Sequence, residues 1–251
     1  MTRRSQRNPG PAVVLLSGGM DSATVLALAS RRGHAPIYAL IVRYGQRHAR
    51  EVRAARAVAR HFGANPIEIA IPLFRIASSA LTRKDIPLPR DRRRGDIGRG
   101  IPATYVPARN TVFLSLALAL AETTRSSTIY LGINAVDYSG YPDCRPAYLR
   151  AFRRLARLAT RAGVTGEGIP RIEAPLLALG KADIVLLGDQ LGVPWKKTWS
   201  CYAGGHEPCH RCDACRLREE GFRRAAEIRN GPAPPRKRRG KYAPSLPLGE
   251  G

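Results

Sequence analysis

The chain predicts a doubly wound parallel α/β sheet of the Rossmann-like type, extended by a small C-terminal helical subdomain built on four cysteines. Three observations carry that prediction. Apolar runs of strand length alternate with runs of helix length from residue 12 to residue 191, the pattern of repeated β-α-β units in which helices cover both faces of a parallel sheet. The first run, residues 12–16, breaks into Ser17-Gly18-Gly19-Met20-Asp21-Ser22 before a helix begins, and ligands in such sheets sit at the carboxyl ends of strands. Cys201, Cys209, Cys212 and Cys215 follow in the spacing C-x7-C-x2-C-x2-C, which in a reducing compartment reads first as a metal site.

Taken in order, residues 12–16 read as strand, 22–32 as helix, 37–42 as strand, 48–62 as helix and 66–71 as strand. In the second helix Val52, Ala55, Ala59 and Phe62 share one face, while Arg50, Arg53, Arg56 and Arg60 fall elsewhere. Residues 111–122 form an almost wholly apolar, hence buried, helix, and 127–133 a strand. Residues 146–162 read as a helix whose wet face carries Arg150, Arg153, Arg154, Arg157 and Arg161. A last amphipathic helix over 181–191 leads to the cysteines. This divides the chain into a basic tail (1–11), an α/β domain (12–194) in which 83–100 is charged, aperiodic and expected to be a mobile loop, a zinc-binding subdomain (195–230) and a disordered basic Pro-rich tail (231–251).

The turn after the first strand is a phosphate loop. Adjacent glycines let backbone N–H groups approach an anion, and the next helix brings its positive dipole end to the same place. Ser17 and Ser22 add hydroxyl donors, and Asp21 is suited to positioning magnesium on nucleotide phosphates. No Walker-type Gly-x-x-x-x-Gly-Lys-Ser/Thr run exists. The loop instead resembles that of the ATP pyrophosphatases (the PP-loop superfamily), which hold ATP so that pyrophosphate leaves and AMP is transferred; an ordinary strand-to-helix turn is the plain alternative. The expected nucleotide-binding set is Leu15, Leu16, Ser17, Gly18, Gly19, Met20, Asp21, Ser22, Ala23, Thr24 and Val25, with Gly132 from the later strand.

The formal net charge of +23 over 251 residues suggests a polyanionic partner. Its location weakens that inference, because much of it lies in the tails, in the 83–100 segment and on the solvated helix face. No run of eighteen apolar residues exists, so no membrane segment is expected and a cytoplasmic location is.

Four thiolates in a tetrahedron suit one closed structural zinc, leaving no position for chemistry. Iron–sulfur clusters also use closely spaced cysteines, so spacing leaves both open, and His206 or His210 is available to replace a ligand. Cys144 stands apart, and a lone thiol is more often a packed residue than a nucleophile.

Further motifs are Tyr44-Gly45-Gln46-Arg47-His48, residues 102–110 ending in Pro107-Ala108-Arg109-Asn110, Leu131-Gly132-Ile133-Asn134, the run Asp137-Tyr138-Ser139-Gly140-Tyr141-Pro142-Asp143-Cys144-Arg145, and Ser200-Cys201-Tyr202. Together with the phosphate loop and the cysteines, in order from about residue 13 to 222, they resemble the 7-cyano-7-deazaguanine (preQ0) synthase family. Met20 stands where leucine is common in that family, and His210 where glycine is expected. The resemblance implies an adenine nucleotide alpha hydrolase type of fold and an ATP-dependent conversion of 7-carboxy-7-deazaguanine and ammonia to the nitrile precursor of queuosine. It also implies Mg2+, one structural Zn2+ per subunit on Cys201, Cys209, Cys212 and Cys215, a homodimer, and no need for nucleic acid.

Residue roles follow from the same resemblance. Asp21, Lys181 and Arg109 are the expected catalytic residues: Asp21 for the metal, Lys181 for the leaving pyrophosphate, and Arg109 for the substrate carboxylate or the phosphates through its planar fork. Tyr44, Gln46, Arg109, Asp137, Tyr138, Tyr141, Asp143 and Arg145 are expected to bind the deazapurine. Plainer readings are an exposed helix-opening lysine at Lys181 and a helix cap at Asn110. The competing functions are a tRNA-modifying enzyme that adenylates a base, a zinc-ribbon nucleic-acid-binding module on a degenerate ATP fold, and a relative that attaches the deazapurine to a macromolecule.

Overall fold

The computed structural model describes residues 9–97, 99–134 and 140–231. Five parallel strands, β1 (Ala12–Leu15), β2 (Ile37–Arg43), β3 (Asn65–Ala70), β4 (Thr128–Leu131) and β5 (Arg171–Glu173), lie in the order β3-β2-β1-β4-β5. The helices are α1 (Met20–Arg31), α2 (Arg50–His61), α3 (Arg109–Thr124), α4 (Pro146–Ala159), α5 (Arg161–Thr165), α6 (Lys181–Gln190) and α7 (Asp213–Asn230). The chain leaves β1 toward β2 and β3, then returns to place β4 on the other side of β1. The strand order therefore reverses beside β1, and the phosphate loop sits at that switch point.

Strand side chains alternate between two buried faces. Ala12, Val14, Ala39 and Ile41 pack with α1, α2 and α6 residues, whereas Val13, Leu40, Ile129 and Leu131 pack with α3 and α4 residues. Both faces are covered, which is why the strands read as continuous apolar runs.

The sequence misplaces some boundaries and misses β5. Its three residues pair, among the described residues, only with Thr128–Tyr130 and are too short to show a period. The single helix expected over 146–162 divides at Thr160, whose extended backbone lets its Oγ1 accept from the Gly163 N–H at 2.9 Å and cap α5. The stretch expected to be a mobile loop is laid against the four-cysteine subdomain. Arg92 pairs with the buried Asp213 at 3.0 Å, Arg94 with Glu220 at 2.7 Å and Asp91 with Arg211 at 2.5 Å, while Arg90 forms an isolated antiparallel bridge with Cys212. Partners more than a hundred residues away in sequence supply these contacts, and a search for periodicity does not see them.

Candidate active site and metal centre

The loop after β1 is shaped from both sides. Gly18 has φ +86°, and a Cβ there would lie 2.4 Å from the Glu51 carbonyl oxygen and 2.6 Å from the Ala55 nitrogen, so only glycine lets α2 close on the loop. Trp199 N–H donates to the Gly18 carbonyl at 2.9 Å, tying the loop to the cysteine segment. Ser17 N–H donates to Ser22 Oγ at 3.2 Å, and the two hydroxyls are 3.1 Å apart. The α1 N-terminus carries no side-chain cap, so its first amides remain available to an anion.

Asp21 and Lys181 meet across this loop. Lys181 Nζ donates to Asp21 Oδ2 at 2.5 Å, with the two side chains 6 % and 15 % exposed. The plain reading of Lys181 as an exposed helix-opening residue is therefore wrong: α7 packs over it, and a Cβ on Gly221 would approach the Lys181 Cβ to 2.8 Å. Asp21 Oδ1 is buried without a hydrogen-bond partner among the described residues. An orphaned carboxylate oxygen beside an uncapped helix start suits a magnesium ion carried on phosphates.

A single cavity joins this loop to the ends of β2, α3 and β4. Of the expected nucleotide set, Leu15, Leu16, Ser17, Gly19, Met20, Asp21, Ser22 and Gly132 line it. Gly18, Ala23, Thr24 and Val25 do not; the last three are buried in α1. Of the residues expected to bind the deazapurine, Tyr44, Gln46, Arg109 and Tyr141 line the cavity. Asp137 and Tyr138 lie outside the described residues.

Asp143 and Arg145 are not among the lining residues. Asp143 is buried, and its Oδ2 accepts from the Asn110 backbone N–H at 2.9 Å at the start of α3. It therefore satisfies a helix terminus that the sequence reading assigned to Asn110; the Asn110 side chain instead reaches the Asp143 carbonyl and the Cys144 sulfur. Arg145 is exposed and precedes the first turn of α4.

Arg109 sits over the Tyr44 ring at 5.6 Å from its centroid and donates to the Tyr44 hydroxyl at 3.3 Å. Burial opposes its charge, but Tyr44, Tyr141, Cys144 and Asp143 outweigh burial and hold its pKa above the usual value. A permanently charged guanidinium beside an aromatic ring suits a planar, anionic ligand. Burial also pushes the Tyr44 hydroxyl up to about 12. The Cys144 thiol is pushed to about 12 by burial and by Asp143, so it is a neutral packed group rather than a nucleophile.

Sequence reasoning missed Glu51, Phe113 and Trp199, which also line the cavity. For Glu51 a signal existed, because it lies one turn from Ala55 on the buried side of an arginine-rich helix.

The four cysteines converge next to this cavity. Their sulfurs all lie within 4.8 Å of one another, compatible with a tetrahedron of Zn–S bonds of about 2.3 Å. Cys201 Sγ accepts from the Cys209 and Ala203 N–H groups at 3.3 and 3.4 Å, and Cys209 Sγ from the Cys212 N–H at 3.4 Å. Hydrogen bonds from the Cys212 and Cys215 thiols draw the Cys201 pKa far down. The histidines are occupied elsewhere, His210 with Glu219 at 2.6 Å and His206 beside Arg50 at 3.4 Å. His210 has φ +57°, the left-handed backbone that glycine adopts freely and histidine at a cost of roughly 1–2 kcal/mol, which accounts for the glycine expected there.

A model of the queuosine biosynthesis protein QueC family matches residues 11–226. The chain belongs to the QueC family. A 7-cyano-7-deazaguanine synthase of Trichodesmium erythraeum (strain IMS101) is 52 % identical over 214 residues, covering 84 % of this chain and 95 % of the relative. One from Kineococcus radiotolerans (strain ATCC BAA-149 / DSM 14245 / SRS30216) is 55 % identical over 219 residues, covering 86 % and 94 %. Among solved structures, NMN synthetase from Francisella tularensis is similar at 16 % identity and a TM-score of 0.45, covering 92 % of this chain and 91 % of that one. QueC membership thus spans the α/β domain and most of the cysteine subdomain. No helix among the described residues is long and apolar enough to cross a membrane.

Proposed function

We propose that the chain is an ATP-dependent ligase that converts 7-carboxy-7-deazaguanine and ammonia to 7-cyano-7-deazaguanine. The observation that carries this reading is the meeting, in one cavity, of an uncapped helix start flanked by the Asp21–Lys181 pair with Arg109 placed over the Tyr44 ring. Relatives at 52–55 % identity bearing that synthase name support it.

A carboxylate resists amines because its oxygen is a poor leaving group. Transfer of AMP to that oxygen makes it a good one, and ammonia then displaces AMP to give the amide. A second AMP transfer, to the amide oxygen, lets that oxygen leave as well and yields the nitrile. One site can serve both rounds, because each places an oxygen opposite the α-phosphorus. Catalysis rests on positioning and on charge around phosphates. The loop amides would hold the phosphates, Lys181 would take the charge of the departing pyrophosphate, and Arg109 would orient the acid. Asp21 would help to hold Mg2+, which would supply charge neutralisation at the phosphates. Cys201, Cys209, Cys212 and Cys215 would hold one structural Zn2+.

Incubation with ATP, Mg2+, ammonium and 7-carboxy-7-deazaguanine, without RNA, tests the reading by mass spectrometry. Amide, nitrile and AMP are expected; AMP release that requires tRNA and ignores the acid would overturn it. The assembly proposed with this reading is a homodimer of 27.4 kDa subunits, checked by light scattering. The proposed location is the cytoplasm, where four reduced thiols persist.

A further inference from the structure

We propose that Glu51 is the catalytic proton acceptor for the nitrogen substrate, an inference that rests on the reaction read above. The reaction needs one. Nitrogen enters as ammonium at neutral pH and leaves as a nitrile, shedding four protons while the carbon is neither oxidised nor reduced. One proton must go before the nitrogen lone pair can form the C–N bond. A second leaves after the C–O bond to AMP breaks with its electron pair on oxygen. Two more leave the amide nitrogen as its adenylated oxygen departs.

Among the described residues, two carboxyls line the cavity, Asp21 and Glu51. Asp21 is committed to Lys181 at 2.5 Å and to the phosphate side. Glu51 has no hydrogen bond or ion pair from its side chain among the described residues. It stands in the first turn of α2, whose backbone packs closely on Gly18, and it lines the cavity that also holds the phosphate-loop residues Ser17, Gly19 and Ser22 and the Arg109 guanidinium. The other protic groups there are poor acceptors: Tyr44 and Cys144 are held protonated by burial up to about 12, the Tyr141 hydroxyl is raised too, and Arg109 is a fixed cation.

The electrostatics agree with that geometry. Burial pushes the Glu51 carboxyl up to about 7, with Arg109 on α3 opposing and the negative charge at Cys201 adding. A carboxyl near half-ionisation at neutral pH both takes a proton and passes it on, the condition under which general-base catalysis is most effective.

The test separates the acid-activation step from the ammonia step. Wild-type protein with the acid, ATP and Mg2+ but no ammonium should exchange labelled pyrophosphate into ATP; absence of that exchange would defeat the proposed function itself. Glu51→Gln should keep the exchange within about twofold. Its amide formation from ammonium at pH 7 should fall by about 10²–10⁴-fold, and the deficit should narrow as pH rises and free ammonia replaces ammonium. An amide rate equal to wild type, or a deficit independent of pH, overturns the assignment. If exchange is also lost in that variant, Glu51→Asp decides. Retained exchange with a slowed, pH-displaced ammonia step upholds the role, and equal loss of both steps overturns it.

Discussion

Replacing Gly132 by alanine tests how tightly the end of β4 and the start of α1 set the phosphate loop. A Cβ at this position would lie 2.9 Å from the Ser22 nitrogen and 3.0 Å from the Asp21 carbonyl carbon and the Ser22 Cα. Comfortable carbon contacts are about 3.5–4.0 Å, so the two segments must separate by roughly 0.5–1 Å, and both partners are backbone that cannot rotate away. Overpacking of this kind costs about 1–3 kcal/mol, which for a domain of this size lowers Tm by roughly 2–10 °C. The same displacement moves the Asp21 and Ser22 amides off the phosphates. A misplacement of about 1 Å costs on the order of 100-fold in rate, so a 10–100-fold fall in acid-dependent pyrophosphate exchange is expected. Gly95→Ala is the control, since nothing lies within 4 Å of the added methyl and its φ is not positive. Gly132→Ala with the activity and Tm of that control would refute the claim that this contact fixes the loop.

Three further outcomes follow from the packing and the charges. Glu51 is raised from the usual carboxylate range to about 7 in the fold, so the native state binds the extra proton and wild-type stability falls as pH rises through that window. Glu51→Gln should therefore gain up to about 3 kcal/mol over wild type at pH 8 and little at pH 4; denaturant melts at both values check this, and a gain of the same size at both would contradict it. Chelation of the metal should remove the order around the cysteines, since apparent zinc binding in such sites is worth about 10–16 kcal/mol. Circular dichroism should then lose α7 helicity, and an unchanged spectrum would contradict the folding role. Gly221→Ala should reduce acid-dependent exchange several-fold although it is remote from the loop in sequence, because its methyl would meet the Lys181 Cβ at 2.8 Å and the Lys181 backbone carbon and oxygen at 3.2 Å; wild-type exchange would show that α7 does not set Lys181.

Much of this molecule is legible without coordinates, for identifiable physical reasons. β1, β2 and β4 are buried on both faces, so they stand out as apolar runs, and two glycines plus two serines at a strand-to-helix junction have few uses besides holding an anion. The cysteines converge as their spacing implies. What escaped depends on partners distant in sequence. β5 is three residues that exist as a strand only because Thr128–Tyr130 offers an edge. Asp143 caps α3 across 33 positions, so its chemistry reads locally as a ligand. Arg92 and Arg94 look like a solvated charge run until α7 brings Asp213 and Glu220 to them. Glu51 was legible in part: its spacing from Ala55 puts it on the apolar side of α2, but a lone acid on an arginine-rich helix also reads as surface balance, and the cavity that gives it a role is assembled from distant segments.

Turnover of 7-carboxy-7-deazaguanine carrying 18O in both carboxylate oxygens probes the double use of one phosphate loop most directly. Two AMP molecules per nitrile are expected, each with one 18O in its phosphate, because both oxygens leave bonded to the α-phosphorus. Label found in pyrophosphate, in inorganic phosphate or in water, or in only one AMP per nitrile, would contradict adenylation at both steps.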